Sequence, residues 1–230
     1  MLNVTAHKTG LLAVCLSLLL AACATTKTQD ETRAITDEAE VTLSRFLRDP
    51  DMTWLQKNLP KAKGVMVCPK IIQAGFIVGG AGGSCVVMAR RSSGKGWHGP
   101  AFYKIATASI GLQAGAQASE MVALLMTDKA LNSLLSTSFK LGGDVSIAAG
   151  PIGAGAGAPV TADMVNFVRS KGLYGGINLD GSVITIDDAA NQSFYGRPAT
   201  PVDILVKGSV RSPTGSSLAR ALSAVGATGN

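Results

Sequence analysis

GVMVCPKIIQAGFIVGGAGGSCVVMAR, residues Gly64–Arg90, is followed by the polar loop RSSGKGWHGP and then by AFYKIATASIGLQAGAQASEMVALLMT, ending at Thr127. Three apolar runs lie in the first segment, Val65–Cys68, Phe76–Val78 and Cys85–Ala89. Each is short and bounded by Gly or Pro, which is the habit of strands and not of helices. Between the second and third lies Gly79-Gly80-Ala81-Gly82-Gly83. A backbone almost without side chains takes positive φ at little steric cost, so the reading predicts a tight hairpin there.

Working outward, Trp97 and Pro100 lead into a strand over Phe102–Ile110, and Leu112–Met126 reads as one or two further strands broken at Gly115. Thr127-Asp128 caps a short helix over Lys129–Ser136. The second half repeats the strand habit over Val145–Ala149, Val160–Arg169, Leu173–Asn178 and Ser182–Ile186. Asp180-Gly181 is a hairpin signal, and Ala154–Ala158 reads as a low-complexity loop. Asp187–Tyr195 and Pro201–Lys207 are short helical candidates. Thr214–Asn230, rich in small residues, is at most marginally helical.

Upstream, Ile35, Ala39, Leu43, Phe46 and Leu47 form one helical stripe, with Glu38, Glu40, Ser44, Arg45 and Arg48 outside it. Acidic residues on that polar face favour packing on the sheet over lying on a membrane. Asp49-Pro50 ends this helix and opens a second over Asp51–Leu59, since Asp caps and Pro suits the first helical position. Residues 1–22 carry Lys8 and an apolar run, Leu11–Leu20, too short to span a bilayer, and read as a signal peptide. The run ends in Leu20-Ala21-Ala22-Cys23, which resembles a bacterial lipobox. That resemblance implies cleavage before Cys23 and acylation of its thiol. Ala24 in place of Asp implies the periplasmic side of the outer membrane. Residues 23–31 are then a polar tether, 32–210 one domain and 211–230 a flexible tail.

At 230 residues the chain has room for one domain with a real core. Gly, at 27 residues, exceeds the average of roughly 7% and is spread through apolar runs, as in a closely packed, curved sheet. The fold class expected is α+β: a twisted antiparallel sheet, closed towards a barrel, with the N-terminal and short helices packed on it. Lys+Arg number 21 against 15 Asp+Glu, and loss of Lys8 with the leader takes the net charge from +6 to about +5. Such a surface modestly favours anionic partners.

Enzyme chemistry is poorly supported. His98 is the single histidine left after the leader, no Gly-x-Ser-x-Gly occurs, and Ser84-Cys85 closes the Gly-rich segment without the Lys of a phosphate loop. No catalytic residue, metal set or cofactor is assigned, and no nucleic-acid partner. Cys68 and Cys85 remain after Cys15 is removed and Cys23 is acylated. In an exported chain they either bond, closing a loop of about 16 residues worth roughly 3 kcal/mol, or stay as two buried thiols.

The ordered landmarks are Lys61–Gly80, GWHGPAFY (Gly96–Tyr103), GLQAGAQASEMVALLM (Gly111–Met126), LGGDVSIAAGPIG (Leu141–Gly153), RSKGLYGGINLDGSVI (Arg169–Ile184) and NQSFYG (Asn191–Gly196). This string resembles the SYLF domain family, the lipid-binding domain of yeast actin-patch proteins. The resemblance implies a non-enzymatic module that binds acidic phospholipids such as phosphoinositides, with actin binding a property of the yeast members. Many members carry a basic residue after AGPIG, where this chain has Ala154-Gly155-Ala156. Candidate contacts for anionic lipid are Lys61, Lys63 and Lys70 around the first strand, Arg90, Arg91 and Lys95 after the third, and Arg169 with Lys171. The other reading is a structural or protein-interaction lipoprotein of the cell envelope.

Overall fold

The computed structural model describes residues 27–75, 78–94, 96–110, 115–153, 160–170, 173–174, 179–211 and 216–227. The first element is α1, Gln29–Arg48, which begins earlier than the apolar stripe suggests because Thr28 and Glu31 form a capping box. Thr28 Oγ1 accepts from Glu31 N–H at 3.2 Å and Glu31 Oε2 accepts from Thr28 N–H at 2.6 Å. Asp49 caps the 3-10 turn Pro50–Met52, which leads into α2, Thr53–Asn58, and a second 3-10 turn, Leu59–Lys61.

The sheet then forms in long strokes: β1 (Gly64–Gly75), β2 (Val78–Arg90), β3 (Trp97–Ile110) and β4 (Gly115–Leu125). After α3 (Asp128–Ser133) come β5 (Ser138–Lys140), β6 (Ile147–Ala149), β7 (Met164–Ser170), β8 (Leu173–Tyr174) and β9 (Val183–Ile186). The chain closes with α4 (Asp188–Tyr195), a π-helical turn at Val202–Val206, and α5 (Ser217–Ala227). Strand order is β5-β9-β3-β2-β1-β4-β7-β6, with β8 beside β7. The result is the expected α+β fold, a curled sheet forming a half-barrel. It is antiparallel except where β6 runs parallel to β7.

Several expectations change. The predicted hairpin at Gly79–Gly83 is not a turn: these residues lie inside β2, where Gly79–Gly83 pair with Gly75–Ile71 of β1 and Ser109–Ile105 of β3. Gly75 pairs with Gly79, and of the run Phe76–Val78 only Val78, the first residue of β2, lies among the described residues. The small residues serve close approach instead of positive φ. A register shift between Val67 and Lys70 pushes the β1 backbone towards β2, and a Cβ on Gly83 would run into Lys70 O. Asp180-Gly181 does turn, with Gly181 at φ 80°, but β9 leaves it to pair with β3 and β5 instead of folding back on the preceding strand. The expected tail is the helix α5, because Leu218 and Leu222 stand one turn apart and both are buried, packed against α1 and β3. The loop Ala154–Ala158 lies outside the described residues.

Burial divides the sheet along its length. Gly64–Cys68, Cys85–Ala89 and Met121–Leu125 are buried on both faces. On one side Phe102 meets Phe194 of α4, ring centroids 5.2 Å apart, and α1 crosses β1, β2 and β4. On the other, Tyr103 donates its hydroxyl to Leu134 O at 2.8 Å. Cys68 and Cys85, neighbours across the β1–β2 ladder at the bulge, are joined in a disulfide with Cα atoms 4.1 Å apart. Beyond Lys70, Ser84 and Lys104 the four long strands run on without a helix over every row, and exposure begins to alternate.

Candidate functional site

The eight basic residues singled out from the sequence do not share one rim. Lys61, Lys63, Arg90 and Arg91 gather at the end where β1 starts and β2 finishes, with Arg90 N–H donating to Lys63 O at 2.8 Å. Lys61, Lys63 and Arg91 are exposed there, and Lys63 pairs with Asp128 at 3.2 Å. Arg90 is turned inward. Its Nε and Nη2 donate to Ala62 O at 2.9 Å and Leu59 O at 2.8 Å, and its guanidinium stacks on Trp97 at 4.3 Å. Burial pushes its pKa down, and it clamps the turn before β1 onto β2. Lys95 and Lys171 lie outside the described residues.

Lys70 and Arg169 belong to a different level. Seven residues separate Lys63 from Lys70, roughly 23 Å of strand at ~3.3 Å per residue. Lys70 is exposed and faces Ser84 in the β1–β2 register, and Ser84 in turn faces Lys104 of β3. Paired residues share a face of the sheet. On this face Lys27, just before the α1 cap, donates to Ser84 Oγ at 2.7 Å and to Asp187 Oδ2 at 2.9 Å. Lys104 reaches Asp187 Oδ1 at 3.4 Å. Burial opposes ionisation of Asp187, but the Lys27 hydrogen bond and charge, with the Ala190 N–H and Lys104, hold its carboxyl below the usual range. Across the sheet the pattern repeats: Glu120 accepts from Arg45 of α1 and from Arg169 of β7, both at 2.6 Å, and Arg169 lies over the Phe46 ring.

A belt therefore crosses β3, β2, β1, β4 and β7, in which Lys27, Lys70, Lys104, Arg45 and Arg169 stand around Asp187 and Glu120 among the described residues. Lys27 and Lys104 were missed in the sequence, Lys27 because it stands in the stretch read as tether. The alternation of KIATA after Tyr103, which sets Lys104 on the face of Ala106 and Ala108, is the signal that finds the second. His98 is a packing residue at the start of β3, its Nδ1 3.2 Å from Leu205 O. Among the described residues no three His, Cys, Asp or Glu side chains are placed to hold a metal ion. None of the described helices is long and apolar enough to cross a membrane.

Residues 106–225 match the family described as Ysc84, Las17-binding protein actin regulator. The chain belongs to the Ysc84/SYLF family. It is 34% identical over 162 residues to LAS seventeen-binding protein 3 of Saccharomyces cerevisiae, covering 67% of this chain and 35% of that one. It is 33% identical over 161 residues to SH3 domain-containing YSC84-like protein 1 of Bos taurus, covering 68% and 47%. The matched region thus spans about a third to a half of those relatives' length. The SYLF family description is that of binding and regulatory proteins, and Las17 binding is a property named for the relatives.

Proposed function

We propose that the protein is a non-enzymatic module that binds anionic phospholipid while anchored by an acylated Cys23 on the periplasmic side of the outer membrane. The observation that carries this reading is the seat of Lys27. Four residues after Cys23, it is fixed on Ser84 and Asp187 within the cationic belt. Four residues of chain reach at most ~14 Å, so acyl chains on Cys23 bring the belt to the bilayer surface. Near an anionic leaflet each basic residue contributes about 1 kcal/mol, and the surplus of cations over carboxylates in the belt suits reversible binding.

The test is sedimentation of the Cys23→Ser protein with vesicles of phosphatidylglycerol and phosphatidylethanolamine. Binding should rise with the phosphatidylglycerol fraction and fall as salt is raised from 0.05 to about 0.5 M. No binding at any anionic fraction would favour a protein-directed role, the one suggested by the Las17-binding relatives. In cells, Cys23→Ser should release the protein from the outer-membrane fraction. Retention after a salt wash refutes the acyl anchor.

A further inference from the structure

Beyond the belt, the ends of the four long strands have a composition that a water-facing sheet does not explain. Ile71–Gly83 and Ile105–Ser119 contain no Asp, Glu, Lys or Arg. The register arranges them in rows. Ala106, Gly82, Ile72 and Ala118 lie side by side across β3, β2, β1 and β4, and Ala108, Gly80, Ala74 and Ala116 form the next row. Residues two apart in a strand share a face, so both rows continue the face that carries Lys70, Ser84 and Lys104. Ile72, Ala74, Ala106, Ala108, Ala116 and Ala118 are all exposed, and Ile72, 43% accessible, is one of three large apolar side chains so exposed among the described residues. The opposite face differs. Gln73, Thr107 and Gln117 lie on it, with Gln117 Nε2 donating to Gln73 Oε1 at 3.4 Å.

The ribbon is thus amphipathic across its thickness, and its apolar face is edged by the cationic belt. Among the described residues β9 pairs with β3 over Tyr103–Ala106, and β7 with β4 over Ser119–Leu125. Among the described residues, Thr107–Ile110 and Gly115–Ala118 have a strand partner on one side, and their own sequences hold none of the Lys or Pro by which soluble sheets protect an edge.

Resting on the lipid-binding reading, we propose that this face lies flat in the interface of an anionic bilayer, an amphipathic β-ribbon that buries small apolar side chains beneath the headgroups. Three observations favour lipid over a protein partner. Among the described residues this face is Ala and Gly around Ile72, shallow and without the aromatic anchors that carry protein interfaces, whereas fluid acyl chains need no shape match. The adjoining belt supplies charge complementary to phosphate headgroups. Lys27 places Cys23 within four residues of the same face. These edges set the depth, because N–H and C=O groups without a strand partner stay in the hydrated interface and do not enter hydrocarbon.

The experiment uses residues 23–230, the chain without its leader and Cys15, with Cys23→Ser and an environment-sensitive dye on a single introduced cysteine, the Cys68–Cys85 disulfide being intact. With phosphatidylglycerol vesicles, dye at Ala74→Cys or Ala108→Cys should shift to the blue and be quenched by lipids spin-labelled near the headgroup. Dye at Gln73→Cys, on the opposite face, and at Lys61→Cys, at the far end of the sheet, should do neither. The double variant Ile72→Glu/Ala108→Glu should lose vesicle affinity tenfold or more while melting within a few degrees of its parent. If the parent binds anionic vesicles but labels on the two faces respond alike, or the double variant binds as well as the parent, the ribbon inference is overturned and lipid binding stands. If the parent binds no anionic vesicle, the lipid reading itself has failed. A parent that is dimeric in solution, with a monomeric Ile72→Glu variant and unchanged vesicle affinity, would assign the face to a second copy and overturn the inference too.

Discussion

Gly83 and Gly80 stand in the same strand, yet their substitution should have different consequences. A Cβ at Gly83 meets Lys70 O at the bulge, backbone against backbone, whereas at Gly80 the nearest atom is Thr107 O at 3.3 Å. Gly83→Ala should therefore destabilise by about 1–3 kcal/mol, as overpacking does, and lower the melting temperature by several degrees. Gly80→Ala should stay within roughly 1 kcal/mol of the parent. Equal melting for both would remove the bulge as the reason for glycine. Asp163 carries a second residue-scale expectation. Its carboxylate accepts from Ser146 Oγ and Thr127 Oγ1, both at 2.7 Å, and from Ser146 N–H at 3.0 Å, which hold its pKa well below the ordinary carboxylate range. The folded-state value being depressed, its stabilisation is complete above about pH 4, near the unfolded pKa, and fades as pH falls through the folded value. Asp163→Asn should lower stability by about 1–3 kcal/mol at pH 7 and by less at pH 3. A deficit that is the same at both pH values, read from chemical denaturation, would contradict this.

At the scale of elements, the strands were legible, and Gly79–Gly83 was the turn misplaced. Val65–Cys68 and Cys85–Ala89 do pair, but a Gly-rich segment signals both a turn and a strand in which backbones approach closely. The cysteines held the deciding clue. Two cysteines facing each other across a ladder require the strands to meet midway between residues 68 and 85, as the Gly75–Gly79 pair shows, which leaves Gly79–Gly83 inside a strand. The Cys68→Ala/Cys85→Ala protein should lose roughly 3 kcal/mol in the chain-entropy account, and reduction of the parent should cost about as much. An unchanged denaturation midpoint would show that the loop is already held closed by the ladder. The C-terminal helix was underread because propensity and composition are weak for a segment of Ala, Ser and Gly, while two leucines one turn apart suffice once α1 offers a surface. Burying each leucine contributes ~1.5–3 kcal/mol, partly offset by ordering the helix, so deleting residues 212–230 should cost roughly 1–3 kcal/mol. Should the truncated chain melt with the parent, α5 contributes no stability.

On the scale of the whole molecule, the sequence shows which charges exist but not which level of the sheet they occupy. Spacing along the chain cannot separate Lys63 from Lys70, and only the strand direction sets them some 20 Å apart, beyond a Debye length of ~8 Å at physiological salt. Nor could it show that Arg90 is held by backbone carbonyls, or that Lys27 returns to the sheet. Two cationic groups at opposite levels cannot both lie against one flat bilayer, and this makes the orientation measurable. Removing two belt charges, Lys70→Gln/Lys104→Gln, should weaken binding to phosphatidylglycerol vesicles by about 2 kcal/mol, near thirtyfold at low salt, and flatten the salt dependence. Asp187 keeps Lys27 as its partner in that variant, so folding should change little. The triple change Lys61→Gln/Lys63→Gln/Arg91→Gln removes more charge from the other end, yet should alter affinity less than threefold, because those groups point into solvent away from the membrane. If the triple variant loses more affinity than the double one, the protein sits on its β1-start end, and the belt is a structural network joining α1, α4 and the sheet.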